Sequence, residues 1–124
     1  MPRKTVQSVK HSEQGGIARW NEDLLTSAFH GENAAALVAL DQGADVDATH
    51  TSTGLTALHI AVGTNNLELA QILSEHYAAS FTPDRFGRWP SFVAAECQAN
   101  TEMQDYIVEA EARYLARQDS SEQT

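Results

Sequence analysis

The chain has 124 residues, a formal net charge of −9 and a single cysteine. This length predicts one domain with one core, and a lone cysteine excludes an internal disulfide and suits a reducing compartment. No apolar run approaches the roughly 20 residues of a membrane span, and the first residues lack the apolar stretch of a signal peptide. We therefore expect a cytoplasmic protein with no membrane or nucleic-acid partner, since strong acidity opposes binding to polyanions.

The first element in chain order is a basic, polar segment over residues 1–18. It contains Arg3, Lys4 and Lys10 and shows no hydrophobic periodicity, so it predicts a mobile N-terminal tail. With these cations outside the domain, residues 19–117 are strongly acidic. Such a body favours a protein partner with a basic face, and the alternative is that the acidity serves solubility alone.

Three related units follow, at about residues 20–50, 51–83 and 84–117. The first has a helical apolar pattern over residues 23–31 and a turn over 43–48. It lies about 34 residues before the second unit. Spacing of this size is the mark of a chain built from stacked copies of one supersecondary unit.

The second unit carries the clearest signature, in residues 54–61. Thr56 is placed to cap a helix, and the spacing to His59 lets the imidazole bond back to the threonine. Apolar residues then recur at intervals of three and four, which predicts helices with one buried stripe. They are Leu58, Ala61, Leu69, Ile72 and Leu73.

The third unit repeats this pattern 33 residues later, in residues 87–94, but Trp89, Ser91 and Phe92 stand at the threonine, leucine and histidine positions. Its last helix is predicted from Thr101 to about Arg117. The pattern turns four residues inward, namely Met103, Tyr106, Ile107 and Ala110, and five outward, namely Glu102, Asp105, Glu109, Glu111 and Arg113. Residues 118–124 are polar or charged and predict a disordered tail.

The three copies resemble the ankyrin repeat, whose signature Gly-x-Thr-Pro-Leu-His-x-Ala matches Gly54, Thr56, Leu58, His59 and Ala61. The resemblance covers about residues 20–117. It implies an all-α solenoid of stacked helix-turn-helix units with short β-turn fingers, and a small stand-alone member of about three repeats.

The same resemblance implies a concave binding strip formed by the finger tips and the ends of the first helices. Carried over by register, the predicted partner-binding residues are Phe29, His30, Ser52, Thr53, Leu55, Thr64, Arg85, Phe86, Arg88 and Glu96. Arginine and aromatic residues concentrate binding energy, so we expect Arg85, Phe86 and Arg88 to dominate. The alternative is that Phe86 and Trp89 pack beneath the turn.

No catalytic or metal-binding pattern accompanies this signature. The five histidines form no His-x-x-x-His pair, and the sequence has no phosphate-binding glycine loop and no nucleophile elbow. Cys97 follows Glu96 at a predicted helix end, where the helix dipole disfavours a negative charge, so we expect it to be inert or to form a contact. We expect neither cofactor nor metal.

The sequence therefore predicts a non-enzymatic protein–protein interaction module that binds one protein partner. The expected role is that of an inhibitor, an immunity-type protein or a regulatory adaptor, which is an inference from fold and size. The alternatives are a self-associating scaffold and, more remotely, an enzyme. A monomer is expected, with a homodimer as the alternative.

Overall fold

A computed structural model describes residues 18–123, and the side-chain surroundings of residues 18–118. The predicted N-terminal tail lies outside the described residues, apart from its last residue. Six helices occur in the described part: α1 over 18–30, α2 Asn33–Asp41, α3 Ala57–Gly63, α4 Leu67–Glu75, α5 Pro90–Glu96 and α6 Thr101–Gln123. Outside the helices, this part has one isolated antiparallel bridge, Thr49 with Thr56, and no longer strand. The helices form three consecutive pairs, so the predicted all-α solenoid is confirmed.

Side-chain caps fix where the helices of the second unit begin. At α3, Thr56 Oγ1 accepts from the His59 N–H (3.2 Å), and the Thr56 N–H donates to His59 Nδ1 (3.3 Å). At α4, the Asn66 side-chain oxygen accepts from the Leu69 N–H (3.2 Å). These caps satisfy N–H groups that have no partner within the helix, so the helix starts follow from local sequence.

The core is a continuous layer shared by the three units. Its largest fully buried side chains include Leu24 from the first unit, Leu58, Leu69 and Leu73 from the second, and Met103 and Ile107 from the third. Ala61 and Ala94 are also fully buried, and their small size lets α3 and α5 approach closely. One helix pair cannot cover its own apolar face, so each unit is stabilised by its neighbours.

Hydrogen bonds between units set the stacking register. His59 Nε2 donates to the Arg88 carbonyl oxygen at 2.9 Å, joining the second unit to the finger of the third. The Asp47 carboxylate accepts from the N–H and the hydroxyl of Ser80, both at 2.8 Å. These bonds join residues 29 and 33 positions apart, which is close to the length of one unit. A shift of one unit against the next would therefore break them together.

The third unit caps its first helix in a different way. Trp89 offers no side-chain acceptor at the start of α5. Glu111 of α6 supplies one, because its carboxylate accepts from the Ser91 N–H at 3.0 Å and from the Ser91 hydroxyl at 2.6 Å. The prediction that Glu111 points outward is therefore wrong, since an uncapped helix start draws an acceptor from the neighbouring helix.

The last helix is longer than the sequence pattern indicated. It continues to Gln123, so the prediction of a disordered tail from residue 118 is wrong for 118–123. The physical reason is that residues 118–123 contain no glycine or proline that would end the helix begun at Thr101. Tyr114 also packs against Phe81, with ring centroids 5.5 Å apart, which fixes this part of α6 against the loop before the third finger.

The neutral form of His59 makes both of its bonds, because Nδ1 accepts and Nε2 donates. Burial lowers the pKa of His59 and outweighs the opposing effect of the bond to Arg88. The unfolded chain therefore binds a proton first as the pH falls below the ordinary histidine pKa of about 6.5. We expect the free energy of unfolding to keep its full value above that pH and to decrease below it. Urea unfolding at a series of pH values measures this change.

The matched control for this pH dependence is His59→Gln, which replaces the titrating imidazole with an amide that does not titrate. Its unfolding free energy should change less between about pH 7 and about pH 5, where few carboxylates titrate. Equal pH slopes in the two proteins would contradict the assignment to His59.

Glu111→Ala should destabilise the fold, because it leaves the Ser91 N–H without its acceptor. We expect a loss of about 1 kcal/mol, the usual cost of removing a helix cap, measured by urea unfolding. Glu109→Ala is the matched control, since 74% of the Glu109 side chain is exposed. A loss as large in the control would show that acidic side chains on α6 act through general charge instead of the cap.

Candidate functional site

The finger of the second unit is a closed turn over residues 50–55. The His50 N–H donates to the Leu55 carbonyl oxygen and the Gly54 N–H donates to that of His50, both at 2.8 Å. Thr53 Oγ1 lies 3.2 Å from His50 Nδ1 and accepts from the Leu55 N–H at 3.3 Å. Of the predicted contact residues here, Ser52 is exposed, while Thr53 and Leu55 are half-buried.

The finger of the third unit is organised by Asp84, whose side chain is fully buried. Its carboxylate accepts from the N–H groups of Phe86 (2.8 Å) and Arg88 (2.9 Å) and from Arg88 Nε (2.8 Å). Burial alone would raise the pKa of Asp84, but these bonds more than offset it and lower that pKa below its usual value. The loop therefore closes around a carboxylate that stays ionised at neutral pH.

Arg85 joins the two fingers. Its N–H donates to the Thr53 carbonyl oxygen at 3.0 Å, and its Nη1 donates to that of Ser52 at 3.1 Å. The approach is so close that a Cβ atom on Gly54 would lie 2.7 Å from the Arg85 nitrogen. Because Gly54 also has φ of +73°, glycine suits this position for both space and backbone conformation.

Phe86 projects from the third finger with 67% of its surface exposed, so the alternative in which its ring packs beneath the turn is wrong. Trp89 is half-buried at the start of α5. Beside the Phe86 ring lies the Arg88 guanidinium, 5.5 Å from the ring centroid. Arg88 is held by Asp84 and by Glu96, whose carboxylate accepts from Nη1 at 3.2 Å. The guanidinium therefore supports the ring through a cation–π contact.

A second aromatic residue, Phe29, lies near the end of α1 and is 52% exposed. It borders a groove of about 490 Å³ between α1 and the chain at residues 49–51, together with the nearly buried Leu25 and the exposed Glu22. The groove thus combines an apolar base with a carboxylate. Leu25 and Glu22 were missed by the sequence reasoning, although their spacing from Phe29 on one helix face could have identified them.

The remaining predicted residues occupy helix ends. His30 and Thr64 are exposed, and the Thr64 hydroxyl donates to the Ile60 carbonyl oxygen at 2.8 Å. Taken together, seven of the ten predicted residues are exposed and three, Thr53, Leu55 and Arg88, are half-buried. Sequence reasoning also missed the organising role of Asp84, whose Asp-x-x-Gly spacing is a known turn signal.

The described residues contain no group of three or more histidine, cysteine or acidic side chains that could hold a metal ion. Among the helices in this part of the chain, none is long and apolar enough to cross a membrane. Cys97 is an exposed free thiol.

Comparison with known proteins supports this architecture. Residues 24–118 match the family model described as ankyrin repeats in three copies. The chain is similar to the ankyrin repeat and SAM domain-containing protein 6 of Danio rerio, at 42% identity over 55 residues, which is 44% of this chain and 7% of that protein. It is also similar to the I-Kappa-B like protein C2 of Microplitis demolitor bracovirus (isolate Webb), at 34% identity over 77 residues, 62% of this chain and 42% of that protein. The matched regions cover less than half of either relative.

Gly54→Ala should disturb the contact between the fingers more than Gly31→Ala disturbs its own turn. Both glycines have positive φ, but a Cβ on Gly31 would meet nothing within 4 Å. We expect Gly54→Ala to cost at least about 1 kcal/mol more in unfolding free energy, as overpacking adds to backbone strain. Equal costs, measured by urea unfolding, would mean that the fingers separate freely.

Proposed function

The chain belongs to the ankyrin-repeat family, a family of non-enzymatic protein-interaction modules, and we propose that it binds one protein partner through its concave strip. We define the strip as the ten predicted contact residues together with the groove beside Phe29. The observation that carries the proposal is Phe86, a large aromatic side chain that is 67% exposed on a finger held by a buried carboxylate.

An exposed ring is useful for binding when it is already ordered. Asp84 closes the loop that carries Phe86, and Arg88 lies beside the ring while bonded to Asp84 and Glu96. A partner that covers the ring thus gains apolar contact and loses little side-chain freedom. Rigid aromatic anchors of this kind are typical of residues that dominate binding energy.

The two arginines have different roles in this proposal. Arg88 supports Phe86 from within the protein and contacts the partner at its edge. Arg85 donates its N–H to the Thr53 carbonyl oxygen and its Nη1 to those of Ser52 and Thr51, and its exposed guanidinium keeps other donors for the partner. Phe86 is therefore the principal anchor, and the arginines set its position and its polar surroundings.

The groove beside Phe29 provides a second contact at the other end of the strip. Glu22 adds a carboxylate to an apolar wall, and the chain as a whole carries a charge of −9. These features favour a partner with a basic face, which the electrostatic field would attract during association.

We further propose that binding regulates or inhibits the partner. The relative named I-Kappa-B like protein C2 fits a regulatory or inhibitory role, and a strip of this kind can mask a partner's surface. The exposed free thiol of Cys97 suits the reducing cytoplasm, which we propose as its location.

Phe86→Ala should weaken partner binding by about 2 kcal/mol, because the ring is the exposed anchor of the strip. The unfolding free energy should change by less than about 0.5 kcal/mol, since the ring contributes little to the core. The partner is first captured on the immobilised chain from the source cells and identified by mass spectrometry, and its affinity for each variant is then measured by calorimetry.

Phe92→Ala is the matched control, because Phe92 is 53% exposed but lies outside the strip. Its affinity for the captured partner should equal that of the unmodified chain. If Phe86→Ala binds normally while Phe92→Ala does not, the partner uses a different surface and the proposal is wrong.

A further inference from the structure

The third unit leaves an apolar surface on the side away from the second unit. We call this the end face and define it by Phe92 and Ala95 on α5 and by Val108, Ala112 and Leu115 on α6. Phe92 is 53% exposed, Val108 54% and Leu115 43%. Val108, Ala112 and Leu115 are spaced by four and three residues, so they form one ridge along the helix.

The repeat register identifies the end face with the surface that joins successive units. Phe92 follows His59 by 33 residues, and Val108 follows Ser74 by 34. In the second unit these positions hold the third unit, because His59 donates to the Arg88 carbonyl oxygen and the Ser74 hydroxyl lies 2.6 Å from that of Tyr106.

In the third unit the same positions carry apolar side chains that are more than half exposed. Apolar residues at these two positions suit a neighbour that presents an apolar surface instead of hydrogen-bonding groups. It replaces two specific hydrogen bonds with a surface that any well-shaped apolar helix could cover. Solubility would favour a polar outer face, so solubility does not explain this choice.

Acidic side chains border the apolar ridge. Asp105 and Glu109 alternate with Val108 and Ala112 along the exposed side of α6, and Glu96 follows Phe92 by four residues on α5. Glu96 is paired with Arg88 at 3.2 Å and Glu109 with Arg113 at 3.5 Å, but the side chain of Glu109 is 74% exposed, and Asp105 is also exposed. A second copy of this chain would bring the same carboxylates against them, which opposes pairing of two end faces.

From the register and this charge pattern we infer that the end face binds an amphipathic helix of another protein, with an apolar stripe flanked by lysine or arginine. The helix would lie across α5 and α6, where a further unit would stack. Its apolar stripe would cover Phe92, Val108 and Leu115, and its cations would approach Asp105 and Glu109. The five residues that define this surface are not among those of the concave strip, and the inference does not rest on the proposed function.

The test uses two synthetic helical peptides that share a leucine stripe, one with lysine and one with glutamate on the flanks. Fluorescence anisotropy measures their binding to the full chain. We expect binding of the lysine peptide alone, and a weakening of about tenfold or more in Val108→Glu, because a charge then lies within the apolar contact. Leu115→Glu provides a second variant, and circular dichroism verifies that both remain folded.

Val38→Glu is the matched control, since Val38 is 51% exposed on α2 of the first unit. It should bind the lysine peptide as the unmodified chain does. Comparing Val108→Glu with Val38→Glu also separates docking from unselective electrostatic attraction. Unselective attraction of the lysine peptide would increase with an added negative charge at either position. Unchanged or tighter binding by both Val108→Glu and Leu115→Glu would overturn the inference.

Sedimentation of the chain alone tests the alternative in which a second copy of the chain covers the end face. A dimer that Val108→Glu abolishes would assign the end face to a second copy and overturn the inference, whereas a monomer supports it. Phe86→Ala should leave the affinity for the lysine peptide unchanged. A loss of binding at the end face can thereby be distinguished from a loss of binding at the concave strip.

Discussion

The position of the third finger depends on the hydrogen bond from His59 Nε2 to the Arg88 carbonyl oxygen. Arg88 is also the residue whose backbone closes the finger on Asp84 and whose guanidinium lies beside Phe86. One buried imidazole therefore links the cap of α3 to the exposed aromatic ring. Its neutral state matters because only the neutral ring can accept from Thr56 while donating to Arg88.

Stacking explains why the surface proposed for binding is ordered although it is made of turns. A finger has no core of its own. The third finger is held by the units before it, because Arg85 bonds to the finger of the second unit and Ser80, in the loop that leads to the third finger, bonds to Asp47 of the first unit. The energy that orders the fingers thus comes from contacts between units. A partner that binds at the proposed strip would meet loops that have already lost most of their conformational freedom.

The last unit departs from the pattern of the others, and its departures are coupled. Trp89 cannot cap α5, so Glu111 of α6 does, which fixes α6 across the start of α5. The same helix continues beyond the repeat, and Tyr114 packs on Phe81. With α6 fixed in this way, Val108 on α6 and Phe92 on α5 both remain exposed, and the third unit carries an apolar surface of its own.

The sequence by itself determined the unit and its number of copies through the spacing of 33 or 34 residues between copies, and it determined the cap of α3 through the local spacing of Thr56 and His59. It also predicted the exposed ring of Phe86 from its place at a finger tip. Only the tertiary structure decided that Glu111 points inward and that Arg88 supports Phe86 while bonded to Asp84 and Glu96. It also brought Leu25 and Glu22 together with the chain at 49–51 in one groove. The physical reason is that hydrogen-bond partners and grooves between units join residues distant in the chain, and such pairings follow from packing and leave no local period in the sequence.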